Sequence, residues 1–236
     1  MSSIWRVTCA RQTRHVTRAQ GVVGIEADQG DAIAGGNGNH RRILRRHPAL
    51  GHDGSPVSTV ARHPMTDWTR LIRDTPDFPR PGVLFKDIMP MLADAEAFAA
   101  AIDALAAPWR DARVDAVLAI ESRGFLLGAP LARALGTGLV PVRKPGKLPG
   151  PLLEARYALE YGEDTLQVQA GAVASKAKVL LVDDVLATGG TLMAARALAC
   201  RLDADIVGAS VLLEIAALGG RARWDDPAPL RAALVV

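Results

Sequence analysis

KVLLVDDVLATGGT, residues Lys178–Thr191, combines an apolar run, an acid pair, a turn of small residues and the start of a helix. The near-continuous apolar run predicts a strand over Lys178–Asp183, of the kind that is buried in a parallel sheet. In open α/β sheets, ligands bind at the carboxyl ends of the strands, where such a turn lies. The segment therefore predicts a parallel sheet and a ligand site at its carboxyl edge.

The turn Ala187–Thr191 has the features of a site for a terminal phosphate. Gly189 and Gly190 allow backbone N–H groups to approach an anion closely, and the helix N-terminus adds partial positive charge. Thr188 and Thr191 supply hydroxyl donors. The absence of a Gly-Lys-Ser/Thr sequence and of G-x-G-x-x-G excludes a Walker A loop and a Rossmann fingerprint here.

The acid pair Asp183 and Asp184 precedes the turn. Carboxylates accept hydrogen bonds from the vicinal hydroxyls of a ribose, so the pair suits a sugar that carries the phosphate. A Gly-rich bend beside solvated acids is the simpler interpretation. The whole pattern, from apolar run to Thr-Gly-Gly-Thr, favours the phosphate site.

The chain around this segment alternates between strand and helix patterns. Apolar runs predict further strands at Val114–Ile120, Leu139–Arg143 and Ile206–Leu213. Helices are expected after Asp94, within Phe125–Leu135 and over Thr191–Leu202. Ala155–Leu159 and Thr165–Gln169 flank YGED and indicate a hairpin. The order predicts an α/β fold with a mainly parallel twisted sheet flanked by helices.

Residues 1–64 differ in composition from the rest. They hold nine Lys and Arg against four Asp and Glu, and all five histidines, whereas residues 65–236 hold 19 against 21. They show no sustained apolar period, so little offsets their ordering entropy. A disordered basic tail, a partner-binding arm and a non-native extension are three open interpretations. We favour the last, because Met65 opens the patterned region 65–236.

Composition narrows the class of protein. The net charge of +3 comes from the leading segment, so the remainder gives no basic surface that would indicate nucleic acid. Two cysteines, Cys9 and Cys200, imply no disulfide framework and fit a reducing compartment. No apolar run reaches the roughly 18 residues of a membrane span, and no signal peptide is recognised. We expect a cytoplasmic protein without a membrane partner.

VLLVDDVLATGGT resembles the phosphoribosyl pyrophosphate motif of type I phosphoribosyltransferases. The other segments resemble the adenine phosphoribosyltransferase family, with order and spacing that agree across about residues 67–220. These segments are FPRPGVLFKDI (Phe78–Ile88), IESRGFLLG (Ile120–Gly128), VRKPGKLPG (Val142–Gly150) and YALEYG (Tyr157–Gly162). Residues 1–64 have no counterpart in the resemblance.

The resemblance implies a role for each matched segment. A flexible β-hairpin hood, roughly residues 144–169, would close over the site, with Tyr161 at its tip. ESRG would form a tight loop beside pyrophosphate with a cis peptide at Glu121–Ser122. The implied pyrophosphate-binding residues are Ser122, Arg123, Arg143, Lys144 and Lys147. The implied adenine-binding residues are Leu84, Lys86, Arg123 and Val185.

The same resemblance implies a reaction in which phosphoribosyl pyrophosphate (PRPP) and adenine give AMP and pyrophosphate. Mg²⁺, held mainly by PRPP, is the implied cofactor, and a homodimer is the implied assembly. The expected catalytic residues are Asp183 and Asp184 at the sugar and Glu160 at the purine. Two alternatives stay open: a phosphoribosyltransferase for another base, and a non-catalytic PRPP-sensing regulator.

Overall fold

The structure, a computed structural model, describes residues 67–158 and 163–236. Its central feature is a five-stranded parallel sheet in the order β4-β3-β7-β8-β9. The strands are β3 (Ala116–Ile120), β4 (Gly138–Val142), β7 (Lys178–Leu186), β8 (Asp205–Glu214) and β9 (Leu230–Val235). Two antiparallel pairs lie outside this sheet: β1 (Arg73–Thr75) with β2 (Phe85–Asp87), and β5 (Leu152–Ala158) with β6 (Glu163–Gln169).

Helices cover both faces of the sheet. They are α1 (Met89–Ala93), α2 (Ala95–Ala106), α3 (Arg123–Leu135) and α4 (Gly190–Arg201). Short 3-10 turns occupy Trp68–Leu71, Ala107–Trp109, Ala216–Leu218 and Gly220–Arg223. The described chain thus has the layered α/β architecture that the alternating pattern predicts.

Alternate residues of the central strands enter different layers of the core. Leu181 of β7 belongs to the cluster that includes α4 and the β5–β6 pair. Leu180 and Val182 belong to the cluster that includes α2 and α3. Because a strand is covered on both faces, its side chains are apolar at nearly every position. This explains why the runs in β3 and β7 show no polar alternation.

The sequence predictions for the fold are confirmed, with changes at the edges. Asp94 caps α2, since its Oδ1 accepts a hydrogen bond from Ala97 N at 2.8 Å. The sequence pattern ends β7 at Asp183, but the strand continues to Leu186 because Val185 and Leu186 still pair with β8. β9 and the β1–β2 pair were not predicted. Leu159 of the predicted hairpin and residues 1–64 lie outside the described residues.

No membrane-spanning segment occurs among the residues described, because none of their helices has both the length and the hydropathy that a bilayer requires.

Candidate active site

The acid pair lies in the middle strand of the sheet, at its carboxyl edge. Asp183 and Asp184 are 8% and 5% exposed. Asp183 Oδ1 accepts a hydrogen bond from Asp184 N at 2.9 Å. Arg123, the first residue of α3, places its Nε 2.7 Å from Asp184 Oδ2. The β3–α3 connection and β7 therefore meet at this pair.

Burial sets the protonation behaviour of the acid pair. It raises the pKa of Asp183, and the neighbouring charge of Asp184 raises that pKa further. Burial also raises the pKa of Asp184, but the Arg123 guanidinium opposes this effect. The fold therefore disfavours two charges on the pair, and the Arg123 guanidinium favours the charged form of Asp184. A cationic sugar above the pair would favour ionisation of both carboxyls.

The turn Ala187–Thr191 follows β7 directly. Gly189 has φ +82°, a left-handed conformation that glycine adopts without a side-chain penalty, and α4 begins at Gly190. Gly189 and Gly190 are buried, whereas Ala187, Thr188 and Thr191 are partly accessible. The structure thus places all five predicted residues in one compact turn at a helix N-terminus, which is a favourable position for an anion.

Three of the predicted pyrophosphate-binding residues contact the carboxylate of Glu121. Glu121, just after β3, accepts hydrogen bonds from Arg143 Nε at 3.2 Å and Lys144 N at 3.0 Å, and it pairs with Lys147 Nζ. Burial alone would raise the pKa of Glu121, but the bonds from Lys147, Lys144 N–H and Arg143 outweigh it and lower the pKa to about 2. The Glu121–Ser122 peptide is cis, as the resemblance implies.

Lys144 connects this cluster to the β5–β6 hairpin. Its Nζ lies 2.9 Å from Asp164 Oδ2, and Tyr157 OH donates to the same oxygen at 3.2 Å. Tyr157 and Asp164 are directly opposite each other in the hairpin. The hydrogen bond to Asp164 raises the pKa of Lys144, so the lysine stays charged. An ion pair therefore joins the start of the predicted hood, at Lys144, to the strands of its hairpin.

Two of the four predicted purine residues, Arg123 and Leu84, lie beside the Phe85 ring. Arg123 Cζ lies 4.8 Å from the ring centroid of Phe85, a distance that permits cation–π attraction. Leu84 is 50% exposed beside it. Lys86 differs, because alternate residues of β2 face opposite sides and its Nζ pairs with Asp74 at 2.7 Å. Val185 is partly buried at the end of β7.

The structure brings Arg123 and the acid pair into contact and gathers Arg143, Lys144 and Lys147 around one carboxylate. Glu160 and Tyr161 lie outside the described residues. Sequence reasoning missed Asp164 and the anchoring role of Glu121. Glu121 lay inside a matched segment, but its partners are 22 to 26 positions away, so no local pattern could reveal them.

Comparison with known proteins agrees with this geometry. Residues 89–228 match the profile of the family described as "Phosphoribosyl transferase domain". Adenine phosphoribosyltransferase of Xanthomonas oryzae pv. oryzae is 59% identical over 167 residues, which cover 71% of this chain and 90% of that relative.

Solved structures are similar as well. The adenine phosphoribosyltransferase of Thermoanaerobacter pseudethanolicus is 43% identical with a TM-score of 0.70, over 73% of this chain and 100% of that one. The enzyme of Saccharomyces cerevisiae, crystallised with adenine and an imino-altritol bisphosphate, is 37% identical with a TM-score of 0.68, over 72% of this chain and 98% of that one. The chain therefore belongs to the adenine phosphoribosyltransferase family.

Proposed function

We propose that this chain transfers the 5-phosphoribosyl group of PRPP to adenine, releasing AMP and pyrophosphate in purine salvage. The observation that carries the proposal is the buried pair Asp183–Asp184 directly before the turn Ala187–Thr191, at the carboxyl edge of the sheet. Together they offer acceptors for ribose hydroxyls and a cradle for the 5′-phosphate. The named relatives support adenine as the base.

The acid pair would act at the sugar. Displacement at the anomeric carbon develops positive charge on the ribose ring, and buried carboxylates stabilise such charge more strongly than solvated ones. Asp183 and Asp184 would accept hydrogen bonds from the ribose hydroxyls and offset this charge. Arg123, already paired with Asp184, would keep that carboxylate ionised and oriented.

The turn Ala187–Thr191 would hold the 5′-phosphate. This group does not react, so its binding serves to fix the orientation of the ribose over the acid pair. Backbone N–H groups and the hydroxyls of Thr188 and Thr191 would donate to it.

Pyrophosphate would be held between the ESRG loop and the base of the hood. Ser122, Arg123, Arg143, Lys144 and Lys147 are the proposed donors. Multiply charged oxygens need such charge-assisted hydrogen bonds. The Glu121 carboxylate supports this role, because it holds Arg143 and Lys147 close to one point.

Adenine would bind between Phe85 and the end of β7. Leu84 would present backbone N–H and C=O to the purine edge, and Arg123 and Val185 would flank the ring. The side chain of Lys86 pairs with Asp74, so its proposed contact would use the backbone. Glu160 would accept the proton that leaves the purine as N9 attacks, and Tyr161 would close the hood.

Mg²⁺ is the proposed cofactor and would bind together with PRPP. Among residues 67–158 and 163–236, no three His, Cys, Asp or Glu side chains form a metal cage. The donor set fits a cation held mainly by pyrophosphate and ribose oxygens, with the acid pair hydrogen-bonded to the ribose. Bound in this way, Mg²⁺ supplies charge neutralisation for the leaving group.

Three features outside the chemistry complete the proposal. A homodimer is the proposed assembly. Leu126 on α3 and Leu139 on β4 support it, because these elements contact each other and the two large apolar side chains are 46% and 42% exposed. A cytoplasmic location is supported by the low cysteine content. Residues 1–64 would be dispensable for the phosphoribosyltransferase domain at 65–236.

The decisive experiment is an assay of pyrophosphate release with PRPP, Mg²⁺ and each nucleobase in turn. Adenine should give a kcat/KM at least about a hundredfold above that of hypoxanthine, guanine or orotate, because unpaired polar groups at the purine edge are costly. Equal rates with a second base would replace the adenine assignment. PRPP binding without release with any base would instead indicate the sensor.

A further inference from the structure

A second segment of the chain packs directly against the turn Ala187–Thr191, called the phosphate turn below. Gly220 begins the 3-10 turn Gly220–Arg223, which follows β8, and it is buried. A Cβ placed on Gly220 would overlap Ala187 O and would lie 3.0 Å from Gly189 N. A Cβ on Gly189 would in turn lie 2.9 Å from Gly220 O. The two backbones are thus in direct contact.

Gly219 and Gly220 each require glycine, but for different structural reasons. Gly219 has φ +65° and open space around its Cβ position, so its backbone conformation accounts for the residue. Gly220 has no left-handed φ, and an alanine there could adopt the same backbone. Only the close approach to Ala187 and Gly189 excludes a side chain at position 220.

The Gly220–Arg223 turn is itself fixed to the sheet. Arg221 donates from Nε to Oε1 of the buried Glu214 carboxylate at 2.8 Å and from Nη2 to Oε2 of the same group, where β8 ends. Arg221 Nη1 donates to Leu230 O at 2.9 Å, where β9 begins. Bidentate pairs of this kind hold a fixed orientation. The turn is therefore a rigid support that is anchored independently of the phosphate turn.

One further contact reaches the middle of the phosphate turn. Arg223 Nη1 donates to Thr188 O at 3.2 Å. This carbonyl belongs to the peptide that joins Thr188 to Gly189. The support therefore touches Ala187, Thr188 and Gly189 in succession, each at a backbone atom of the phosphate turn.

We propose that Gly220 is a positioning residue for substrate phosphate, because its bare Cα sets where the backbone of Ala187–Gly189 lies. This inference rests on the proposed function of the turn as the 5′-phosphate site. Backbone donors must lie within a few tenths of an ångström of their acceptor oxygens, so a displaced turn loses several hydrogen bonds at once. Binding of PRPP and AMP depends on Gly220, and binding of adenine does not.

The test is Gly220→Ala in the full chain. The KM for PRPP and the Kd for AMP should rise at least tenfold, while the KM for adenine at saturating PRPP changes less than threefold. Gly208→Ala is the matched control, since a Cβ there overlaps the Trp109 ring in the core. The control should lower the thermal midpoint and leave both phosphate-dependent constants within twofold of wild type.

If Gly220→Ala does not fold, Arg223→Gln carries the test. Loss of the Arg223 bond to Thr188 O should raise the KM for PRPP roughly two- to tenfold, the usual range for one hydrogen bond, at unchanged KM for adenine. Unchanged PRPP and AMP constants in a folded variant, or equal losses for adenine, would overturn the inference. A wild-type protein that binds neither PRPP nor AMP would overturn the proposed function instead.

Discussion

The phosphate turn and the pyrophosphate cluster, two regions at one edge of the sheet, would hold anions by different means. The turn Ala187–Thr191 is contiguous, contains no charged side chain and offers backbone donors on a fixed support. The cluster joins Glu121 to Arg143 and Lys147, which lie in a separate segment, and uses charged side chains. The turn is held in place by backbone contacts, whereas the donors of the cluster depend on the Glu121 carboxylate for their position.

Glu160→Leu should have the largest effect on turnover while it leaves both anion-binding regions unchanged. Loss of the proposed proton acceptor in the hood should lower kcat by roughly 10²–10⁴, the usual range for a positioned acid–base group. PRPP binding to the open enzyme should change little, because the turn and the cluster are intact. Steady-state kinetics and calorimetry with PRPP measure both quantities, and Glu160→Gln should lose less. Near-normal turnover of Glu160→Leu would remove Glu160 from the chemistry.

Asp184→Asn tests the acid pair in β7, which precedes the phosphate turn. The substitution keeps the shape but removes the charge beside Arg123, so kcat should fall at least about tenfold, or ~1.4 kcal/mol. Circular dichroism establishes whether the variant is folded. A folded variant with wild-type kcat would show that the acid pair does not stabilise the sugar cation.

Glu121→Gln acts on the cluster alone. The amide oxygen can still accept from Lys144 N, but the charge that gathers Arg143 and Lys147 is lost. The KM for PRPP should rise roughly three- to tenfold through disordered pyrophosphate donors, while the Kd for AMP stays unchanged. A parallel loss of AMP affinity would mean that cluster and turn are one coupled site.

The pH dependence of stability should reflect the titration of the Glu121 carboxylate. The pKa of Glu121 is lowered from 4.5 to about 2, so its ionised form stabilises the fold above pH 4.5. That contribution is lost as the pH falls from 4.5 towards 2. The gap in thermal midpoint between wild type and Glu121→Gln should therefore shrink across this window. A constant gap would contradict the lowered pKa.

Removal of residues 1–64 should have the smallest effect of all. A protein that begins at Met65 keeps the turn, the cluster and the hood, so its thermal midpoint and kcat should equal those of the full chain within error. Loss of either would show that the leading segment packs on the domain or contributes to its site.

The sequence predicted those parts whose contacts are local. The strand, acid pair, turn and helix of Lys178–Thr191 follow one another, and the Asp94 cap acts within three residues. The Gly220 contact joins positions more than thirty residues apart, so no local pattern indicates it. The end of β7 was misplaced because two acids are unusual inside a buried strand. The pairing of Val185 and Leu186 with β8 overrides that local signal.

The central place of β7 has a consequence for where the protein opens locally. β7 has a hydrogen-bonded neighbour on each side, β3 and β8, so its backbone amides can exchange with solvent only when the sheet itself opens. Among the described residues, the β5–β6 hairpin has one β-bridge to the rest of the chain, between Gln167 and Arg143. The hairpin amides should therefore exchange faster than those of β7, so the strand that carries the acid pair stays protected when the hairpin opens locally.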